Sequence, residues 1–436
     1  MSLSIMNEEE NINNNTNNDT TNDTTNDTTN DTTNDTTNDT TNDTTDDDYS
    51  YSISSWEDEN CDLKMNLLRG IYSYGFEKPS IIQKKVIYPM ILNDQKKERD
   101  IIAQAQSGTG KTGAFSISAL QIIDETSTDV QCIILSPTHE LAYQINDVIV
   151  NIGKFLKIKT ALFVGGTSIE SNKKSLRENP QIIVGTPGRI NDTIRRKILN
   201  IKNIKLLIID EADEMFSSGF KDQIYRVFKN MPNQIQIGLF SATISRELEQ
   251  LTTQFMRNPV KILVKTEQLT LQGIAQYFIN IGNDSDKFDC LKDLFSSLTI
   301  SQAIIYCNSV KRVDDLEEAM LQEEFPVKKI HGKMTKPERE ATFKEFKSGG
   351  TRVLITSDLF ARGIDVQQVG IVINFDIPKD EHTYLHRIGR SGRWGRKGIA
   401  INLQTKFDVK RLKRFEDYYH TQIIEMPMNY MEHLSQ

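Results

Sequence analysis

Four apolar residues in a row, Leu206-Leu207-Ile208-Ile209, run directly into Asp210-Glu211-Ala212-Asp213. Few folds accept that junction. A short unbroken apolar run reads as a strand buried on both faces, and an unpaired carboxylate at its buried end is costly. Open α/β sheets resolve the conflict by presenting such residues at the carboxyl ends of their strands, where ligands sit. About a hundred residues earlier, Ile101-Ile102-Ala103 ends in Ala105-Gln106-Ser107-Gly108-Thr109-Gly110-Lys111-Thr112. Small residues in that loop let backbone N–H groups approach a phosphate. Together the two segments predict a nucleoside triphosphatase.

The surrounding pattern supports an α/β architecture. Short apolar runs at 100–104, 131–136, 181–185, 205–210, 235–240 and 260–264 alternate with longer amphipathic stretches, as in a parallel sheet with helices on both faces. A polar stretch, 265–273, interrupts the series. A second series follows at 303–307, 327–330, 352–356, 371–375 and 398–403. Length alone predicts two or three domains. The expected division is a tail over 1–55, a nucleotide-binding domain over 56–264, a linker over 265–273 and a second α/β domain over 274–436.

The tail repeats Asn-Asp-Thr-Thr seven times between Asn18 and Thr45. It has too little apolar surface to offset the entropy of ordering, so disorder is expected. It also carries 13 acids and no Lys or Arg, which leaves 52 basic against 47 acidic side chains in the body. The formal charge of −8 therefore belongs to the tail, and the mildly basic body suits a polyanionic partner. The four cysteines lack the paired spacing of a metal site. No run is long enough to span a bilayer and no signal peptide is evident, so an intracellular, soluble protein is expected, cytoplasmic with the nucleus as the alternative; it is expected to be a monomer.

Several residues carry specific expectations. The phosphate loop departs from Gly-x4-Gly-Lys-Ser/Thr only in Ala105. Lys111 suits the β/γ phosphates, and the Thr112 hydroxyl suits a magnesium ion. Asp210 suits the same magnesium, largely through water, and Glu211 suits the orientation and deprotonation of water. The hydroxyls of Ser241 and Thr243, at the end of another buried run, are within the expected reach of Asp213 and would relay changes at the phosphate. Further on, His386-Arg-Ile-Gly-Arg-Ser-Gly-Arg393 gathers three arginines among glycines, a multidentate phosphate grip. Arg390 and Arg393 are candidate arginine fingers reaching across an interdomain cleft, with His386 in the coupling set.

From about Leu67 to Pro427 these motifs resemble the DEAD-box RNA helicases, and within them the eukaryotic translation initiation factor 4A subfamily. The resemblance implies two RecA-like domains of helicase superfamily 2, ATP with magnesium as cofactors, and RNA as partner. Translation-initiation or ribonucleoprotein proteins would be further partners. It implies that Phe76 stacks on adenine, that Gln83 reads the adenine edge, and that Asp365 meets the ribose. It places RNA contacts at Pro137, Thr138, Gly165, Gly166, Thr186 and Arg189 in the first domain, and at Asn308, Ser357 and Arg362 in the second. Four positions depart from the family pattern. His139 stands for an Arg, Ser357 for a Thr, Lys333 for an acid, and Trp56 lies two residues off the place of an upstream adenine-packing Phe.

The implied activity is RNA-stimulated ATP hydrolysis that separates short duplexes locally or remodels ribonucleoproteins. An ATP-gated RNA clamp uses the same catalytic residues, and slow release after hydrolysis would mark it. A DNA helicase is the third reading. Contacts to phosphate and sugar carry no base information, so the RNA substrate is not legible.

Overall fold

The computed structural model describes residues 52–92, 99–105, 108–217, 219–244, 246–264, 273–297, 302–358, 369–391 and 398–427. Gln106, Ser107, Arg362, Asp365 and Arg393 lie outside the described residues, as do the repeats of the tail and residues 265–272.

The apolar runs become strands of two parallel sheets. The first contains β1 (Ile101–Gln104), β2 (Cys132–Leu135), β3 (Thr160–Phe163), β4 (Ile182–Gly185), β5 (Leu206–Ile209), β6 (Gln236–Ser241) and β7 (Val260–Leu263). Their order across the sheet is β3-β4-β2-β5-β6-β1-β7. The second contains β8 (Ile274–Asn280), β9 (Ala303–Tyr306), β10 (Val327–Ile330), β11 (Val353–Thr356), β12 (Ile371–Asn374), β13 (Gly398–Gln404) and β14 (Ile424–Glu425). Its order, β10-β11-β9-β12-β13-β8-β14, repeats that of the first sheet strand for strand.

Burial on both faces explains the apolar runs. In β2, Cys132 and Ile134 join one core cluster while Ile133 and Leu135 join the other. Leu206 and Ile208 of β5 divide from Leu207 and Ile209 in the same way. In the second sheet, Ala303 and Ile305 face one core and Ile304 and Tyr306 another. Each side chain of the pleat points to the face opposite its neighbour's, so a strand between two helical layers needs no polar position.

Three strands were not expected from periodicity. β3 and β14 are edge strands, and β3 alternates buried with half-buried residues. β8 carries a buried Gln276, which donates to Thr421 Oγ1 (3.0 Å) and accepts from the Tyr384 hydroxyl (2.9 Å). A polar residue on an inward face breaks the apolar pattern, and only its partners make it tolerable.

Candidate active site

The strand order assembles the site. β5 lies next to β6, and β6 next to β1, so the acidic tetrad, Ser241 and the phosphate loop emerge side by side at one sheet edge. Ala105 N–H donates to the Ser241 carbonyl (3.0 Å), tying the loop's start to the tip of β6. Gly108 and Gly110 take positive φ of 84° and 104°, a region that disfavours any side chain. The helix Lys111–Ile122 then begins with no side-chain cap. By contrast, helices starting at Ile81, His139, Ile169, Val310 and Glu381 are capped by Ser80, Thr138, Ser168, Ser309 and Asp380. The uncapped N–H groups and the helix dipole form an anion site.

Lys111 is buried, with its ammonium 3.5 Å from Glu211 Oε2. Glu211 is also buried and takes φ of 50°, a left-handed conformation unusual outside glycine. Strain of this kind collects at functional turns. Its N–H donates to Asp210 Oδ1 (3.0 Å). Burial pushes the Asp210 carboxyl up to about 7, helped by the Glu211 charge and opposed by Lys111. A buried carboxylate that resists ionisation suits a divalent cation, which favours its charged form. No cluster of three His, Cys, Asp or Glu capable of holding a metal occurs among the described residues. The buried Asp210 carboxylate at the tip of β5 fits magnesium, which takes one or two protein oxygens and completes its shell with water and substrate phosphates.

The raised value has a consequence for the ligand-free protein. Between about 4 and 7 the folded state keeps a proton on Asp210 that the unfolded chain releases, so this group's contribution to stability falls as pH rises through that window. Asp210→Asn is therefore expected to stabilise the metal-free, nucleotide-free protein at pH 8 and to do little at pH 4. Thermal midpoints measured across the range check this; parallel curves for the two proteins would refute it.

The structure brings together the four residues for which a coupling role was expected. Asp213 N–H donates to Ser241 Oγ (3.3 Å), the Thr243 hydroxyl donates to Asp213 Oδ2 (3.0 Å), and Ser241 donates to the Thr243 carbonyl (2.7 Å). From the second domain, His386 Nε2 reaches 3.5 Å from Asp213 Oδ2, both side chains being buried. Arg390 is buried beside it, and its Nε donates to the His386 carbonyl (3.0 Å). Arg387 departs from the phosphate grip expected of it. Wholly buried, it binds Asp358 (2.6 Å), Asn308 (2.7 Å), Asn374 (3.2 Å) and the Asp376 carbonyl (2.7 Å). It fastens the arginine helix to its sheet.

On the adenine side, Gln83 donates to the Gly110 carbonyl (3.3 Å) and accepts from Ser80 N–H (2.7 Å). A Cβ on Gly113 would lie 2.6 Å from Gln83 Nε2 and 2.9 Å from the Phe76 ring, so this segment packs directly on the phosphate-loop helix. Trp56 is 1% exposed, stacks on Phe76 with ring centres 6.4 Å apart, and donates its indole N–H to the Phe76 carbonyl (2.9 Å). With no open face, it supports Phe76 and offers no surface to a base.

Several expected RNA contacts are anchored internally. Thr138 caps the helix His139–Ile152, and Arg189 binds the Thr167 carbonyl (2.6 Å) and Asn172 (2.7 Å), bracing the loop of Gly165 and Gly166. Thr186 is buried. A Cβ on Gly165 would lie 3.1 Å from His139 Nε2, so the imidazole fills the space over that loop. Ser357 is half-buried just past β11, and Asn308 is exposed past β9.

One interdomain pair was not legible in the sequence. Glu140, after Thr138, lies 3.3 Å from Arg339 Nε on the helix Lys336–Lys347, with both side chains 13% exposed. In a double-mutant cycle, Glu140→Ala and Arg339→Ala are expected to show a coupling of about 1 kcal/mol in RNA affinity measured with a non-hydrolysable ATP analogue. Additive losses would place the pair outside closure.

Two parallel sheets with one phosphate cradle, and a second domain that brings buried His386 within 3.5 Å of Asp213, mark a two-domain P-loop ATPase. Family models match on both sides: DEAD/DEAH box helicase over residues 80–251 and helicase conserved C-terminal domain over 286–395. The chain belongs to the DEAD-box helicase family. It is 50% identical over 382 residues to the ATP-dependent RNA helicase eIF4A of Chaetomium globosum, covering 88% of this chain and 94% of that one. Among solved structures, S. cerevisiae Dbp5 bound to RNA and ADP BeF3 matches with TM-score 0.80 at 35% identity, covering 86% and 97% of the two chains. A variant of the same Dbp5 bound to Nup159, a Gle1 variant, IP6 and ADP scores 0.60 at 34% identity, covering 85% and 97%.

Proposed function

We propose that this chain is an ATP-dependent RNA helicase of the initiation factor 4A kind, in which RNA-stimulated hydrolysis drives local duplex separation or ribonucleoprotein remodelling. The observation that carries this reading is the approach of His386 to Asp213 beside the Lys111–Glu211 pair. Hydrolytic groups from one domain and an arginine segment from the other meet at one place, so turnover depends on closure. The eIF4A relative's name and the RNA-bound Dbp5 support RNA as the partner, and the relative's name supports translation initiation as the setting.

In this reading the phosphate loop and Lys111 hold the triphosphate, Glu211 orients and deprotonates the attacking water, and Arg390 and Arg393 stabilise charge on the transferred phosphoryl group. Thr112 and Asp210 would hold magnesium, which supplies charge neutralisation at the β and γ phosphates. Phe76 and Gln83 select adenine and Asp365 meets the ribose. The loops at Pro137, Gly165-Gly166, Thr186, Asn308, Ser357 and Arg362 meet RNA phosphate and 2′-hydroxyls. Among the described residues no helix is long and apolar enough to cross a membrane.

The test is phosphate release with no nucleic acid, with single-stranded RNA and with DNA of matched sequence, beside strand separation of a short RNA duplex. RNA-specific stimulation and separation are expected. Equal rates under all three conditions would remove the helicase reading.

A further inference from the structure

A cavity of about 390 Å³ in the second domain takes no part in the composite ATP site. It opens at the carboxyl ends of β8, β9, β12 and β13, and its wall includes Asn308, Ile377, Thr405, Phe407 and Arg411. Asn308 is also the first residue of the proposed RNA contact past β9. In the order β11-β9-β12-β13, the tip of β13 lies two strands beyond β9, roughly 10 Å at ordinary strand spacing. The cavity therefore continues the strand-tip edge along which Ser357 and Asn308 sit.

Phe407, at its lip, is 79% exposed, the highest value among the large hydrophobic side chains described. The Lys406 ammonium stands 5.2 Å from its ring centre, with no carboxylate in ion-pair range among the described residues. Arg411 is partly exposed at the wall, where it donates to the Ile377 carbonyl (3.3 Å). The acids around the cavity are already matched. Asp376 faces Lys287 (3.3 Å) and Arg312 (2.7 Å), and Asp284 faces Lys287 (3.0 Å) and Arg312 (2.8 Å). Asp408 accepts from the Thr405 hydroxyl (2.7 Å) and Arg411 (3.0 Å).

We propose that this cavity is a subsite extending the single-stranded RNA path, with Phe407 as a stacking platform for one base and Lys406 and Arg411 for its phosphate. The proposal rests on the RNA-helicase reading. An open aromatic ring among cations is how proteins hold single strands without reading sequence, so the subsite would set how much RNA is gripped, with no preference for base. A protein partner would also use an exposed Phe. Continuity with Asn308, the unmatched Lys406 and the polar wall favour nucleic acid.

The test uses the full chain, a non-hydrolysable ATP analogue and oligouridylates lengthened one nucleotide at a time at either end. Affinity is expected to step upward once the strand reaches the cavity. Phe407→Ala should remove that step, a loss of about 5- to 100-fold, while affinity and ATPase stimulation with the shortest binding RNA stay unchanged. Phe407→Trp should keep the step, and Lys406→Ala should lower the salt dependence of long-RNA binding by about one counterion. Length dependence identical in wild type and Phe407→Ala would overturn the subsite. So would a photoreactive residue at 407 that crosslinks to protein from a cell extract but never to RNA. RNA-stimulated turnover on the shortest RNA reports separately on the helicase reading.

Discussion

Glu211→Gln is expected to cut RNA-stimulated ATP turnover by about 10²–10⁴-fold, the usual worth of a positioned general base, while leaving ATP and RNA binding intact. The substitution keeps the shape of the side chain and its seat in the left-handed turn, but removes the carboxylate that faces Lys111. The Lys111 ammonium then remains available to the phosphates, and closure should outlast hydrolysis. Phosphate release under saturating ATP and RNA, beside RNA affinity with ATP present, checks both halves. Turnover within a few fold of wild type would remove Glu211 from the chemistry.

Arg390→Ala is expected to lower turnover by about 10³–10⁵-fold, as for other arginine fingers, with nearly unchanged ATP affinity in the absence of RNA. In the proposed reading Arg390 comes from the second domain, so it is expected to add nothing until the domains close. Its Nε is held by the His386 carbonyl, which fixes the stem of the guanidinium beside the Asp213 contact. Because the residue is buried, a thermal melt of the variant must accompany the assay. Loss of activity with a normal melt supports the role, and a normal rate would transfer the role to other cations.

Much of this site was legible because its chemistry falls at strand ends. Central strands such as β2, β5, β9 and β12 are apolar on both faces, so periodicity found them, and the polar residues at β1 and β5 stood out against that background. β8 escaped because buried Gln276 is satisfied by Thr421 and Tyr384, far away in the chain. The Glu140–Arg339 pair escaped for a related reason: two ordinary surface-type residues, on segments that meet only in three dimensions, leave no pattern. Arg387 looked like its two neighbours in the motif, and only its burial and its partners in the second sheet separate a residue that fastens the helix from one that reaches for phosphate.

The repeated strand order has a further consequence. Lys287 opens the helix after β8, seven positions past the strand, as Lys111 does after β1. Lys111 faces one carboxylate at 3.5 Å, whereas Lys287 is held by Asp284 and Asp376 together. The lysine of the second domain is thus matched by two of the domain's own carboxylates. Amide hydrogen exchange should then be lopsided. ATP without RNA is expected to slow exchange around residues 108–122 and to leave residues 282–297 as they were, so that nucleotide loss loosens one partner while the other stays a fixed template for the next closure.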